Sequence, residues 1–132
     1  MERQTTAKTK VLVIDDSELV LDAVRLVLEV GGYEVVCQSS PFGTSAAVAR
    51  VRPELVLLDV SMPGLGGVDI AKLLRATDAG RRACIVLHSG RPAAELEVAA
   101  AQSGADGYLV KGLDDAVFLN RLEDFLAKHR GG

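Results

Sequence analysis

The chain has 132 residues, 48% of them hydrophobic and 4% aromatic, with a net charge of −3, a size suited to one domain that buries a core without disulfide or metal support. The mild charge, with no run of Lys and Arg, argues against direct nucleic-acid binding, and no apolar stretch reaches the roughly 18 residues of a membrane span. The polar opening from Met1 to Lys10 lacks the apolar centre of a signal peptide, and Cys37 and Cys84 lie in apolar runs without CxxC spacing, so a cytoplasmic protein with buried free thiols is expected.

In chain order, residues 1–9 read as a flexible lead-in. Val11-Leu12-Val13-Ile14 is a continuous apolar run, the pattern of a strand covered on both faces, and it ends on Asp15-Asp16. Ser17 then offers a cap to an amphipathic helix carrying Leu19, Val20, Ala23, Val24, Leu26, Val27 and Val30, which Gly31-Gly32 stops. Tyr33 to Cys37 is β-rich, and Ser39 to Val51, with Pro41 near its start, reads as a second helix. Leu55-Val56-Leu57-Leu58 repeats the opening pattern, an aliphatic run that ends on a carboxylate, Asp59, before the turn Met62-Pro63-Gly64. Gly66 and Gly67 relax that loop, a short helix follows through Leu74, and Thr77 to Arg82 is a polar stretch whose Arg81-Arg82 reads as a solvated turn.

The alternation continues to the end. Ala83 to Leu87 is a buried strand ending in His88-Ser89-Gly90, and Pro92 opens an Ala-rich helix that Gly104 ends. Gly107 to Val110 is a fifth strand finishing on Lys111. Asp114-Asp115 starts a last helix with Val117, Phe118, Leu122, Phe125 and Leu126 inward and Lys128, His129 and Arg130 at the negative pole of its dipole. Five β-then-α units predict a single α/β domain over residues 10–129, a doubly wound (βα)5 parallel sheet in the order 2-1-3-4-5 with helices on both faces, followed by a tail at 130–132.

That strand order brings Asp15, Asp16, Asp59, Ser89 and Lys111 to one carboxyl edge, where open α/β sheets bind ligands. Two carboxylates about 4 Å apart repel by roughly 4 kcal/mol at an effective dielectric of 20. Three together call for a cation, a raised pKa, or both. Mg2+ (or Mn2+) fits hard oxygen ligands and accompanies phosphate, while a lysine and a hydroxyl opposite suit phosphoryl oxygens. The chemistry indicated is phosphoryl transfer onto a carboxylate.

The motifs VLVIDDS, LVLLDVSMPGLGG, VLHSG and YLVKG, in this order, resemble those of the CheY-like receiver domains of two-component response regulators, from Lys10 to about Lys128. The resemblance implies that Asp59 is the phosphoacceptor, Asp16 a direct magnesium ligand, Asp15 a ligand through water, and the Ser61 backbone carbonyl a further ligand. It implies that Ser89 and Lys111 bind the phosphoryl group, and that Tyr108 is a switch turning inward as Ser89 moves. A histidine kinase or histidine phosphotransfer protein would be the donor. The domain would catalyse only its own phosphorylation and dephosphorylation, and would signal to an output partner through its last helices and last strand.

Departures from the family pattern also carry expectations. Gly112 stands where the family usually has a cis-proline, which loosens the placement of Lys111. Gly66 replaces an Asp of many members and is read as a loop variation. Ser61 and Arg91 hold positions that tune phosphoryl lifetime in the family, and Arg91 either covers the phosphoryl group or lies in solvent. His88 faces away from the side of Ser89, so packing is expected of it. Two other classes share the pattern: a pseudo-receiver that binds partners without phosphorylation, and an aspartate-nucleophile phosphatase. The latter generally needs a second Asp where Ser61 stands.

Overall fold

In a computed structural model that describes residues 8–131, five strands form one parallel sheet. They are β1 (Lys10–Ile14), β2 (Glu34–Gln38), β3 (Leu55–Asp59), β4 (Cys84–Ser89) and β5 (Gly107–Val110), in the order β2-β1-β3-β4-β5. The register pairs Val11 with Leu55, Leu55 with Cys84 and Val86 with Gly107, so β1, β3 and β4 are central. Their aliphatic runs are continuous because both faces are covered. Alternate side chains feed two cores. Val11, Val13, Leu55, Leu57 and Val86 pack against α1 (Glu18–Val30) and α6 (Asp115–Gly131). Leu12, Ile14, Val56, Leu58, Ile85 and Leu87 pack against α2 (Thr44–Val51), α3 (Gly67–Arg75) and α5 (Ala93–Ser103). The crossovers therefore place α1 and α6 on one face and α2, α3 and α5 on the other, with the carboxyl ends of the strands meeting along one edge between them.

The helices differ from expectation in several places. In α1 the buried stripe is Leu21, Val24 and Leu28, whereas Leu19, Leu26 and Val30 are exposed. Apolar residues on both sides of one helix blur its periodicity, and the inward stripe is decided by where the chain enters from β1. Val117 likewise points outward, while Phe118, Leu122 and Leu126 are buried. Helix α2 begins at Thr44 and not at Ser39, because Thr44 Oγ1 donates to the Pro41 carbonyl at 2.6 Å and Gly43 takes φ +80°, closing a turn first.

The polar stretch from Thr77 to Arg82 contains a short helix, α4 (Asp78–Arg82), and Arg81-Arg82, expected to be a solvated turn, is its last part. Thr77 caps it by accepting from Gly80 N at 3.0 Å, and a Cβ on Gly80 would lie 2.1 Å from the Leu74 carbonyl oxygen, so only glycine permits this return of the chain. Helix α6 runs through Gly131, so residues 130 and 131 are helix where a tail was expected; Arg130 holds Glu54 Oε2 at 2.9 Å and Thr9 Oγ1 at 3.0 Å. The expected lead-in lies mostly outside the described residues, but the Thr9 carbonyl already accepts from Glu34 N at 3.0 Å beside β2. No helix among the described residues is long and apolar enough to cross a membrane, and both cysteines are free thiols, Cys84 buried and Cys37 partly so.

Candidate functional site

Strands β1 and β3 bring the residues at their carboxyl ends to one place. At the end of β1, Asp15 is 1% exposed and its Oδ1 accepts from Ser17 N at 2.9 Å, while Asp16 next to it is exposed to solvent. At the end of β3, Asp59 is 4% exposed and its Oδ1 accepts from Ser61 N at 3.2 Å. Carboxylate oxygens of Asp15, Asp16 and Asp59 all lie within 4.8 Å of one another. Burial pushes the Asp59 carboxyl above its usual range; the Ser61 amide partly offsets this, Asp15 and Asp16 add to it, and Lys111 opposes it.

Lys111 enters from the end of β5, where its amide donates to the Ser89 carbonyl at 2.8 Å. Its Nζ lies 2.7 Å from Asp15 Oδ2 and 3.7 Å from Asp59 Oδ2. The contact to Asp15 is an ion pair without hydrogen-bond alignment, so the fully buried Oδ2 has an opposite charge beside it and no hydrogen bond. Three acidic oxygens, one of them buried and unsatisfied, face a single ammonium. Their number and hardness fit a divalent cation such as Mg2+. Gly112 adopts φ +95° on a trans backbone, so glycine makes the turn after Lys111 by left-handed geometry. From this turn the ammonium reaches both aspartates.

The remaining predicted residues surround this centre. Ser89, at the end of β4, is 1% exposed and its Oγ accepts from Arg91 N at 3.2 Å. Arg91 turns toward the loop that follows β3, where its Nε donates to Ser61 Oγ at 2.7 Å. Tyr108 pairs with Leu87 in the sheet and packs half-buried on the face of Ile85 and Leu87. His88 is buried on the opposite face against Phe118, ring centroids 5.5 Å apart. Burial, with Lys111 adding and Asp15 opposing, lowers its pKa to about 4, so it is a neutral packing group and no relay.

Gly67 has a role that the sequence reading missed. Its place after the Met-Pro-Gly turn suggests loop slack, yet it is the first residue of α3, and a Cβ there would lie 2.5 Å from the Asp59 carbonyl oxygen. Absence of a side chain lets α3 press against the end of β3, and the buried Val60 and Met62 anchor the intervening loop. The GG pair after the Met-Pro-Gly turn was the available signal. Gly66 precedes the helix with extended backbone and no side-chain cap. Asp114 opens α6 as read, accepting from Ala116 N at 3.2 Å.

A parallel sheet in the order 2-1-3-4-5, with acidic ends on β1 and β3 and a lysine after β5, defines a CheY-like α/β signalling domain. The chain belongs to the response regulator receiver domain family, whose profile matches residues 11–123. It is a receiver domain of two-component signal transduction, a signalling domain and not a conventional enzyme. The transcriptional regulatory protein KdpE of Mycobacterium tuberculosis is 38% identical over 116 residues, which cover 86% of this chain and 49% of that protein. The transcriptional regulatory protein PrrA of Mycobacterium bovis is 33% identical over 119 residues, 90% of this chain and 50% of its own length. The chain thus spans about half the length of these curated relatives. Among solved structures, chemotaxis protein CheY4 of Vibrio cholerae superposes with a TM-score of 0.84 at 27% identity, covering 90% of this chain and 99% of that one. The receiver domain of sensor histidine kinase PA1611 from Pseudomonas aeruginosa, described with a magnesium ion in its active-site cleft, shares the fold at a TM-score of 0.83 and 22% identity, covering 92% and 99%.

Proposed function

We propose that this domain takes a phosphoryl group onto Asp59 from a phosphohistidine of a histidine kinase or histidine phosphotransfer protein. The observation that carries this reading is the juxtaposition of Asp15, Asp16 and Asp59 oxygens within 4.8 Å, with Lys111 Nζ 3.7 Å from Asp59 Oδ2. An oxygen of Asp59 forms the new O–P bond as the P–N bond to the donor imidazole breaks. The bonding pair returns to the imidazole nitrogen, which takes up a proton.

Asp16, Asp15, Asp59 and the Ser61 carbonyl would hold Mg2+ or Mn2+, which when bound neutralises phosphoryl charge and draws the two anions together. Lys111 balances the acidic pair before transfer and the phosphoryl oxygens after it, and Ser89 Oγ binds a second oxygen. Movement of Ser89 toward the phosphoryl group vacates space that Tyr108 fills, altering the surface of β5 and the adjoining helices through which an output partner is engaged. Arg91, tied to Ser61 at 2.7 Å, lies beside the path of hydrolytic water and sets phosphoryl lifetime together with Ser61. A histidine-kinase donor places the domain in the cytoplasm. With Ser61 in place of a second Asp, the chain lacks the acid that aspartate-nucleophile phosphatases use.

The test is intact mass after incubation with acetyl phosphate and Mg2+. Wild type is expected to gain one phosphoryl group and Asp59→Asn none. An unmodified wild type, or equal labelling of the variant, overturns the assignment.

A further inference from the structure

A second group of ligand-bearing side chains lies at the other end of the sheet, where β4 and β5 begin. Cys84 Sγ, a carboxylate oxygen of Asp106 and a ring nitrogen of His129 fall within 4.8 Å of one another. Each is held by a neighbour that leaves a donor atom available. His129 Nε2 lies 2.8 Å from the Arg82 carbonyl, which accepts its proton, so the Nδ1 lone pair faces inward, 3.9 Å from Asp106 Oδ1. Asp106 Oδ2 accepts from Ile85 N at 2.8 Å and Arg75 Nη2 at 2.7 Å, which fixes the carboxylate and leaves Oδ1 toward the histidine. Cys84 Sγ makes a long contact to the Phe125 carbonyl at 3.9 Å, and burial together with the neighbouring Asp106 carboxylate keeps the metal-free thiol protonated, pushing its pKa up to about 12.

We propose that Cys84, Asp106 and His129 form a binding site for a thiophilic divalent cation of the zinc class, separate from the magnesium site and serving to clasp the end of α6 to the sheet. Nδ1 of His129 and Oδ1 of Asp106 face each other at 3.9 Å with no hydrogen bond between them, and a cation would bridge them. A ligating imidazole characteristically gives its other N–H to a carbonyl or carboxylate, as His129 does to Arg82. Mixed sulfur, nitrogen and oxygen donors are the set that zinc takes, with bonds of about 2.0–2.3 Å. Those bonds place a nitrogen and an oxygen donor about 3.3–3.5 Å apart in a tetrahedron, so the 3.9 Å pair closes by about half an ångström. The fourth position opens onto a recess beside Phe125 and Lys128 and would hold water. Binding exchanges the Cys84 thiol proton for the metal–sulfur bond and releases that proton to solvent. Thiolate and carboxylate together cancel the ion's charge, so Arg75 faces a neutral centre.

Titration of reduced, metal-free protein with Co2+ in excess Mg2+ tests the site by its absorption. Wild type is expected to develop a near-ultraviolet thiolate-to-cobalt charge-transfer band with visible tetrahedral bands, saturating at one ion per chain and discharged by one equivalent of Zn2+. Cys84→Ser and His129→Gln should both lose the bands, and Cys37→Ser and Asp59→Asn should keep them. His129 is at the surface end of a helix, so its variant reports on the site even where Cys84→Ser disturbs folding. No thiolate band in wild type, an unchanged band in His129→Gln, or loss of the band in Cys37→Ser overturns the proposal.

Discussion

The two ends of this sheet treat charge in opposite ways. At the carboxyl end, Asp15, Asp16 and Asp59 crowd together with Lys111 as their shared counter-ion, and Asp15 Oδ2 is buried without a hydrogen bond. At the amino end, opposite charges alternate: Arg75 holds Asp106 at 2.7 Å while also donating to the carbonyls of Gly104, Gly80 and Ala83, and Arg130 pairs with Glu54. The first arrangement stores repulsion that a divalent cation would relieve. The second ties α3, α4, α6 and the β5 entrance together. A domain that must respond to a charged ligand keeps its unrelieved charge at one rim and its fasteners at the other.

The contrast is broken most severely at Lys111. Lys111→Ala removes the cation facing Asp59 and is expected to slow labelling by acetyl phosphate by about a hundredfold, in line with the loss of one preorganised electrostatic group; an unchanged labelling rate would place the lysine outside the chemistry. Arg75→Ala tests the other rim, taking away the donor of five acceptors and leaving Asp106 Oδ2 with the Ile85 amide alone. A loss of about 3 kcal/mol in chemical denaturation is expected, with no change in labelling rate.

Acid should expose His88. Its pKa is about 4 in the fold against 6.5 when unfolded, so the unfolded chain binds the proton first as pH falls. Stability present above about pH 6.5 is lost on the way down to about 4, by roughly 3 kcal/mol at most. His88→Leu should flatten that limb of the stability–pH curve, leaving the slope due to other groups.

Asp59 runs the other way. Its carboxyl is raised in the folded state, so folding favours its protonated form, and its contribution worsens as pH rises through the usual carboxylate range toward the raised value. Asp59→Asn should therefore raise the melting temperature at neutral pH without Mg2+, a gain that shrinks on acidification. Smallest of all, Arg130→Ala removes a half-exposed ion pair and should cost at most about 1 kcal/mol.

The parts of the fold legible from sequence were those in which one local pattern decides the outcome. Apolar runs at Val11 to Ile14 and Leu55 to Leu58 could only be covered strands, and each ended on the carboxylate found at the rim. Patterns that permit two answers misled. In α1 apolar residues occur on several sides, so Leu19, Leu26 and Val30 looked like core. Thr77 to Arg82 looked like a polar stretch ending in a turn at Arg81-Arg82, because a helix of five residues leaves no periodicity to read. Gly67 looked like slack because close backbone approach is a distance between segments, which no local signal contains.

By itself, then, the sequence determined the order of β and α units, the handed crossovers that follow from it, and which residue types terminate each strand, since these depend on short-range sterics and on burial of contiguous apolar groups. Only the tertiary structure decided how the strand ends combine. It set Lys111 between two aspartates, turned Arg91 onto Ser61, sent His88 to the opposite face, and brought Cys84, Asp106 and His129 together from three separate elements. Distances of this kind arise from packing residues remote in the chain, and the electrostatics of both rims follow from them.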